Sequence, residues 1–187
     1  MFTKKILWIS IILILLSIIA AGCSGGTSAT SVTKPQLLES KSFTHQNLFF
    51  SISYPPSWMM EEDDEGVFIG KGDETLSFMV VVEKSGSKDV DLTKMSTDFI
   101  NGFGKSSGMA DLEVSSKQNI NFASEKWYET NFSLLETSSK TKYSFQLRTA
   151  NRKNLAYFVL YMAPADTFEK AKNNYFIAMM DTFKFTN

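Results

Sequence analysis

Alternation of apolar and polar residues dominates the chain from residue 49 onward. In the stretch FFSISYP, Phe50, Ile52 and Tyr54 fall on one side of a strand and two serines on the other. Two prolines follow, and they end the strand because proline cannot donate to a ladder. Similar patterns predict six further strands, over residues 66–71, 76–83, 112–119, 125–135, 142–150 and 155–163.

Two segments have helical spacing instead. The first has apolar residues at positions 92, 95, 99 and 103; Asp91 can cap its start and Gly104 is predicted to end it. The second has apolar residues at positions 168, 171, 175, 179 and 183, and Asp166 with Glu169 form a candidate capping box. The sequence therefore predicts a chain of strands with two helices.

The turn after residue 135 fixes a register between two strands. If it centres on Ser138 and Ser139, one face pairs Leu134 with Tyr143, Phe132 with Phe145 and Thr130 with Leu147. The other face pairs Ser133 with Ser144, Asn131 with Gln146 and Glu129 with Arg148. A one-residue slip would mix the two faces. We expect Phe145 to be buried, and the Glu129–Arg148 pair to be exposed and to contribute little to stability.

The segment LAYFVLYMA is apolar on both faces, which predicts an interior strand covered on both sides. Helices on either face of a mainly antiparallel sheet would provide that cover. The predicted fold class is α+β, with an antiparallel sheet of about six or seven strands and helices packed on both faces.

The N-terminus has the three parts of a secretory signal: Lys4 and Lys5, an apolar run, and small residues that end at Cys23. The apolar core is shorter than the ~20 residues that a membrane-spanning helix needs. The tetrapeptide AAGC resembles the lipobox of prokaryotic lipoproteins. We therefore predict a signal peptide over residues 1–22 and lipidation of Cys23, which holds the protein on the extracytoplasmic face of a prokaryotic membrane. An uncleaved anchor, or a free or partner-bonded cysteine, is the alternative.

Residues 24–46 are rich in Ser, Thr and Gly, which predicts a flexible tether over residues 23–46 and a folded domain over residues 47–187. The single histidine, His45, falls at the end of this tether. Because Cys23 is the only cysteine, the domain has no disulfide framework.

Composition argues against several function classes. The 19 basic and 20 acidic residues give a net charge of −1, which is too weak a field to recruit nucleic acid. One histidine beside a tether does not provide a Ser-His-Asp or Cys-His arrangement, or a zinc site of Cys and His ligands. The stretch GFGKSSG follows a predicted helix, whereas a phosphate loop follows a strand. We expect neither a cofactor nor enzymatic activity.

The run EEDDEG provides five carboxylates in succession. Asp63, Asp64 and Glu65 are calcium candidates because carboxylate oxygens bind this cation. The simpler interpretation is a solvated hairpin tip, since the run lacks the spacing of an EF-hand loop. Trp58 and Trp127 are predicted in the core rather than in a ligand platform.

Five segments resemble the PsbP-like domain, found in the extrinsic photosystem II protein and in DcrB-type lipoproteins. They are FSISYPPSW, GKGDETLSFMVVVEK, DLTKMSTDFINGF, LAYFVLYMAP and NNYFIAMMDTFKF. The resemblance spans residues 43–185, and its signature is Tyr54-Pro followed closely by Trp58. It implies an α/β/α sandwich in which Tyr54 and Trp58 are structural, and it implies little about chemistry because one fold hosts several functions.

Two function classes remain. The favoured one is a membrane-tethered, non-catalytic domain that binds another envelope component, predicted to be a protein, through its sheet edge, polar sheet face or loops. The alternative is an enzyme or a carrier of a small ligand or calcium that uses carboxylates in a cleft, for instance around Asp63 and Asp64.

Overall fold

The computed structural model describes residues 37, 39–72, 75–87 and 89–187. The predicted signal peptide, Cys23 and most of the predicted tether lie outside these residues. Within them the chain forms ten strands and two helices. The strands are β1 (Lys41–His45), β2 (Phe50–Tyr54), β3 (Met59–Asp63), β4 (Gly66–Gly70), β5 (Ser77–Lys84), β6 (Met109–Phe122), β7 (Glu125–Glu136), β8 (Lys142–Arg152), β9 (Leu155–Pro164) and β10 (Lys184–Phe185).

Helix α1 covers Leu92–Ser106. Helix α2 consists of three contiguous segments: α-helix over Phe168–Ala171, π-helix over Lys172–Phe176 and α-helix over Ile177–Thr182.

The strands form two antiparallel sheets. The larger has seven strands in the order β3-β4-β5-β9-β8-β7-β6, and the smaller has the order β1-β2-β10. The mainly antiparallel sheet is therefore confirmed, with β9 in its interior between β5 and β8.

The predicted register between β7 and β8 is confirmed at all six pairs. Phe132 lies opposite Phe145, and their rings stack with centroids 4.7 Å apart. Glu129 lies opposite Arg148 on the other face. The apolar and polar residues of the two strands are thus separated onto opposite sides of the sheet.

Two apolar clusters form the core, and alternate residues of β9 enter different ones. Tyr157, Val159 and Tyr161 belong to the first cluster, which also takes in buried residues of the small sheet and of α2. Phe158 and Leu160 belong to the second, which includes two buried residues of α1. Because neighbouring residues of a strand point to opposite faces, the two clusters lie on opposite sides of β9.

Helix α1 starts as predicted, because an Asp91 carboxylate oxygen accepts the backbone N–H groups of Thr93 at 2.9 Å and Lys94 at 3.1 Å. The predicted end at Gly104 is wrong, since the helix continues to Ser106 and the chain turns at Gly108, where φ is +69°. One glycine lowers helix propensity by only ~1 kcal/mol, so it does not stop a helix with a packed apolar face.

Helix α2 differs from its prediction at both its start and its middle. It begins at Phe168 with Thr167 in the N-cap position, so the capping box of Asp166 and Glu169 does not form. In the π-helical turn, the N–H of Ile177 donates to the carbonyl of Lys172, five residues earlier. The added residue makes Phe176 the fully buried side chain of this turn, where the spacing predicted position 175.

Strands β1 and β3, like the two-residue β10, were not predicted. Strand β1 lies inside the range assigned to the tether, and β3 contains three acidic residues of the run EEDDEG. Both are mostly exposed, so they lack the apolar alternation that marks a strand. They are stabilised by pairing with β2 and β4, whose own patterns are apolar.

Candidate functional site

The seven-stranded sheet carries a continuous polar surface on β6, β7 and β8. Cross-strand pairing aligns Gln118, Glu129 and Arg148 in one row. A second row contains Ser116, Asn131 and Gln146, and a third contains Ser133 and Ser144. We call these eight residues the polar face.

The polar face lies beside the start of α2. Gln146 pairs with Tyr161 of β9, so both side chains are on the same side of the sheet. The ring of Tyr161 stacks on Phe168 of α2 with centroids 6.1 Å apart. The first turn of α2 therefore borders the polar face, and the edge strand β6 forms its other side.

The Glu129–Arg148 pair is the most buried charged group of the face. Arg148 Nε donates to Glu129 Oε2 at 2.8 Å, and Gln118 Nε2 donates to Glu129 Oε1 at 2.7 Å. The side chains are only 5% exposed for Glu129 and 19% for Arg148, so the expectation of an exposed pair is wrong. The guanidinium lies over the ring of Phe122, 5.4 Å from its centroid, and Gln118 covers the carboxylate. Both covering residues come from β6.

The two carboxamides of the second row are incompletely hydrogen-bonded. Asn131 Nδ2 donates to Ser116 Oγ at 2.7 Å. Asn131 Oδ1 and Gln146 Oε1 are buried, and within the described residues neither accepts a hydrogen bond. Gln146 as a whole is 2% exposed, whereas its neighbours Ser133 and Ser144 are half-buried. Buried acceptors normally have a donor, so these two oxygens are unusual.

Charges at the polar face are balanced. Next to the third row, Lys142 Nζ donates to Glu113 Oε2 at 2.6 Å, and this hydrogen bond lowers the pKa of Glu113. Burial raises the pKa of the Tyr161 phenol, so this group stays neutral. Each cation of the region thus has its own carboxylate, and the face has no excess of either sign.

A separate groove of about 590 Å³ lies at the tip of the β6–β7 hairpin. It is lined by Val90, Leu92, Asn121, Ser124, Glu125, Lys126 and Asn151. Its single carboxylate, Glu125, pairs with Arg152 at 3.2 Å. The groove therefore lacks the two acids that general acid–base catalysis by carboxylates would use.

The calcium candidates lie away from both features. Asp63 ends β3, and Asp64 and Glu65 form the turn to β4. Asp63 Oδ1 accepts the N–H of Glu65 at 2.8 Å, an interaction within the turn. In the part of the chain that the structure describes, no three His, Cys, Asp or Glu side chains come together as metal ligands.

His45 is in β1 rather than in a tether. It is buried, and its Nε2 donates to the carbonyl of Asp63 at 2.8 Å, which connects the small sheet to the edge of the large one. Its ring packs against Phe43 and Phe50, so these neighbours do not include a nucleophile.

Tyr54, Trp58 and Phe145 were predicted to be structural, and that role stays a prediction. Tyr54 and Trp58 are buried, Trp58 packs against Tyr175 and Phe176, and Phe145 is fully buried. Cys23 lies outside the described residues. The sequence did not predict that Gln118 and Phe122 cover the Glu129–Arg148 pair. Alternation predicted a strand at residue 118, but a sequence pattern does not indicate which side chains lie over the polar residues of a neighbouring strand.

No helix among the described residues has the length and apolar character that crossing a membrane requires. No protein-family model matches the chain, and no curated protein does so.

Solved structures do match. Cyanobacterial PsbP (CyanoP) from Synechocystis sp. PCC 6803 superimposes with a TM-score of 0.65 over 85% of this chain and 98% of CyanoP, at 11% sequence identity. The domain has a PsbP-like fold. A protein from Bacteroides thetaiotaomicron also matches, with a TM-score of 0.55 and 16% sequence identity. The match covers 83% of this chain and 50% of that protein.

LpqN of Mycobacterium tuberculosis, a protein involved in cell envelope biogenesis, shares this architecture at 11% identity. The match covers 80% of this chain and 91% of LpqN, with a TM-score of 0.51. At these identities the likeness to the PsbP-like domain concerns the fold.

Proposed function

We propose that this protein is an exported lipoprotein whose PsbP-like domain binds another component of the cell envelope without catalysing a reaction. The observation that carries the proposal is the polar face: an ordered set of hydrogen-bonding groups on one side of the large sheet, with its charges paired. Such a surface can recognise a partner. Its charged groups are paired with one another, so within the described residues none of them is left as a general acid or base beside the serine hydroxyls of the face.

Two further observations support the envelope assignment. The N-terminal charge, apolar run and Cys23 have the order of a lipoprotein signal. LpqN, which has the same fold, is involved in cell envelope biogenesis.

Because β1 begins at Lys41, the proposed tether from Cys23 is shorter than the sequence predicted. The seventeen linking residues, 24–40, would hold the domain ~21–25 Å from its anchor.

The proposal includes the architecture of an α/β/α sandwich with one helix on each face of the large sheet. Its support is that α1 contributes Ile100 and Phe103 to one cluster, whereas α2 contributes Phe168 and Phe176 to the other. An experimental structure with both helices on one face would contradict this part.

Replacement of Cys23 tests whether the protein is anchored to the membrane by lipid. Intact mass of the wild-type chain extracted from membranes should show loss of residues 1–22 and gain of an acylated glycerol. Cys23→Ser should move the protein to the soluble fraction without changing its circular dichroism. A full-length, unmodified mass would contradict lipidation.

Complementation tests the role of the membrane. In cells that lack the wild-type chain, Cys23→Ser should fail to restore the phenotype at native expression level, because release from the membrane lowers the effective concentration of the domain near its partner. A conservative change in the signal that keeps the cysteine, Ala20→Leu, is the matched control and should complement. Full activity of the soluble form would favour the enzyme or carrier alternative.

A further inference from the structure

The polar face lacks the apolar anchors of a protein interface. Among the described residues, the large apolar side chains that are exposed are Met59, Leu112 and Val114, and none of them belongs to the face. Val114 lies opposite Phe132, on the other side of the sheet. Protein–protein interfaces take most of their affinity from buried aromatic and aliphatic anchors. The face is therefore suited to a ligand that is itself polar.

The ionic groups of the face are already neutralised. Glu129 is held by Arg148 and Gln118, and Glu113 is held by Lys142. A charged ligand would have to break one of these pairs and leave its partner uncompensated. Charge complementarity therefore favours an uncharged ligand.

The carboxamides supply what an uncharged polar ligand needs. Asn131 and Gln146 face each other across β7 and β8, and each has a buried oxygen that accepts no hydrogen bond within the described residues. Reversing either amide would place an NH₂ group there instead, so each side chain can offer an acceptor or a donor. Hydroxyl groups both donate and accept, which makes them the matching ligand chemistry.

Folding alone does not account for the glutamine. A buried polar atom without a partner destabilises the folded state, and leucine or methionine has a similar volume without that penalty. Gln146 is among the most buried polar residues of the domain, at 2% exposure. A binding role gives this position a reason to keep its carboxamide, because binding sites are commonly retained at a cost in stability.

We propose that the polar face binds an uncharged, hydroxyl-rich chain, a glycan of the cell envelope. The central contacts are the carboxamides of Asn131 and Gln146, which must rotate outward to be reached because their oxygens are buried. Ser133 and Ser144 are half-buried and flank the carboxamides, and the Ser133 hydroxyl is hydrogen-bonded to Glu113, so Ser144 provides the remaining hydroxyl of the same site. This inference rests on the proposed function, since it names the class of envelope component that is bound.

Calorimetric titration of the full-length protein in detergent micelles tests the inference. The probes are two neutral oligosaccharides, chitotetraose and maltotetraose, with tetragalacturonate as the acidic counterpart and tetralysine as the basic one. We expect at least one neutral probe to bind with a dissociation constant below about 1 mM, and the charged probes to bind more weakly. If neither neutral probe binds with a dissociation constant below about 1 mM, or if a charged probe binds best, the inference is wrong.

Substitution separates binding from folding. Gln146→Leu should weaken binding of the neutral probe at least about tenfold, as expected for a lost hydrogen bond, while the Tm stays unchanged or rises. Asn119→Leu removes a carboxamide from the opposite side of β6 and should leave binding unchanged. If Gln146→Leu lowers the Tm and leaves binding intact, the glutamine is structural and the inference is overturned.

A smaller substitution keeps the inference testable if Gln146→Leu fails to fold. Ser144→Ala removes one half-buried hydroxyl and should also weaken binding. Unchanged affinity in Ser144→Ala and Gln146→Leu together would overturn the inference. Failure of every glycan probe, combined with loss of complementation in Cys23→Ser, would leave the membrane role in place and reject only the glycan.

Discussion

Removal of Arg148 should destabilise the domain strongly. The substitution Arg148→Met keeps an apolar side chain near Phe122 but leaves the Glu129 carboxylate, 5% exposed, with Gln118 as its remaining donor. Breaking a buried ion pair by removing one partner costs ~3–5 kcal/mol. Because the Arg148 side chain is 19% exposed, we expect a loss somewhat below this range, about 2–4 kcal/mol.

Urea unfolding followed by tryptophan fluorescence measures this loss, since Trp58 and Trp127 are both buried. With a slope of about 2 kcal/mol/M, the midpoint should fall by about 1–2 M. The double variant Glu129→Leu/Arg148→Met should recover most of the loss, because apolar replacement of both partners removes the uncompensated charge.

An exposed ion pair provides the control. Lys94 Nζ lies 2.6 Å from Asp98 Oδ2, with side chains 71% and 62% exposed. Lys94→Met should leave the midpoint unchanged within error. If Arg148→Met behaves like this control, within ~0.5 kcal/mol of the wild type, Glu129 is solvated and the argument from burial is refuted.

Three other outcomes are expected. Phe145→Ala should lower the free energy of unfolding by ~3–5 kcal/mol in the same urea assay, because the ring is fully buried; a loss below ~1 kcal/mol would contradict that packing. Ser124→Gly should raise the Tm by relieving a φ of +64° in the β6–β7 turn, a gain of ~0.5–1 kcal/mol that a lower Tm would disprove. Lys142→Ala should raise the pKa of Glu113 toward its ordinary value in an NMR titration. A lowered carboxyl pKa stabilises the folded state at pH values above the ordinary pKa, and this contribution is lost as the pH falls. The variant should therefore lose that part of the acid dependence of stability. An unmoved pKa of Glu113 would show that Lys142 does not cause the shift.

The sequence predicted the meander of β7, β8 and β9 well because the pattern of each strand is determined by its own residues. Alternation separates the faces of β7 and β8, and a short polar turn sets which residues meet, so the register followed without knowledge of the rest of the fold. The position of β9 followed from its apolar residues on both sides. These properties are local.

The features that were missed depend on distant residues. Strand β1 is polar, and it is a strand because β2 pairs with it. The burial of the Glu129–Arg148 pair depends on Gln118 and Phe122, which reach it from the neighbouring strand. The sequence predicted a polar sheet face. That the carboxamide oxygens of Asn131 and Gln146 are buried without a donor could be seen only in the folded structure.

The junction between β5 and β9 has a consequence for how fast the domain folds. On one side of it the sheet continues through β4 to β3, and on the other through β8 and β7 to β6, so both halves consist of strands that are neighbours in sequence. The junction itself joins Phe78 to Tyr161, 83 positions apart in the chain. Closing so long a loop is entropically costly before its contacts form, and proteins rich in such distant pairings fold in milliseconds to seconds. We expect the two hairpin arrays to form early and their joining at β5–β9 to limit the rate, which leaves the chain unfolded for longer after synthesis than a helical domain of the same length would be.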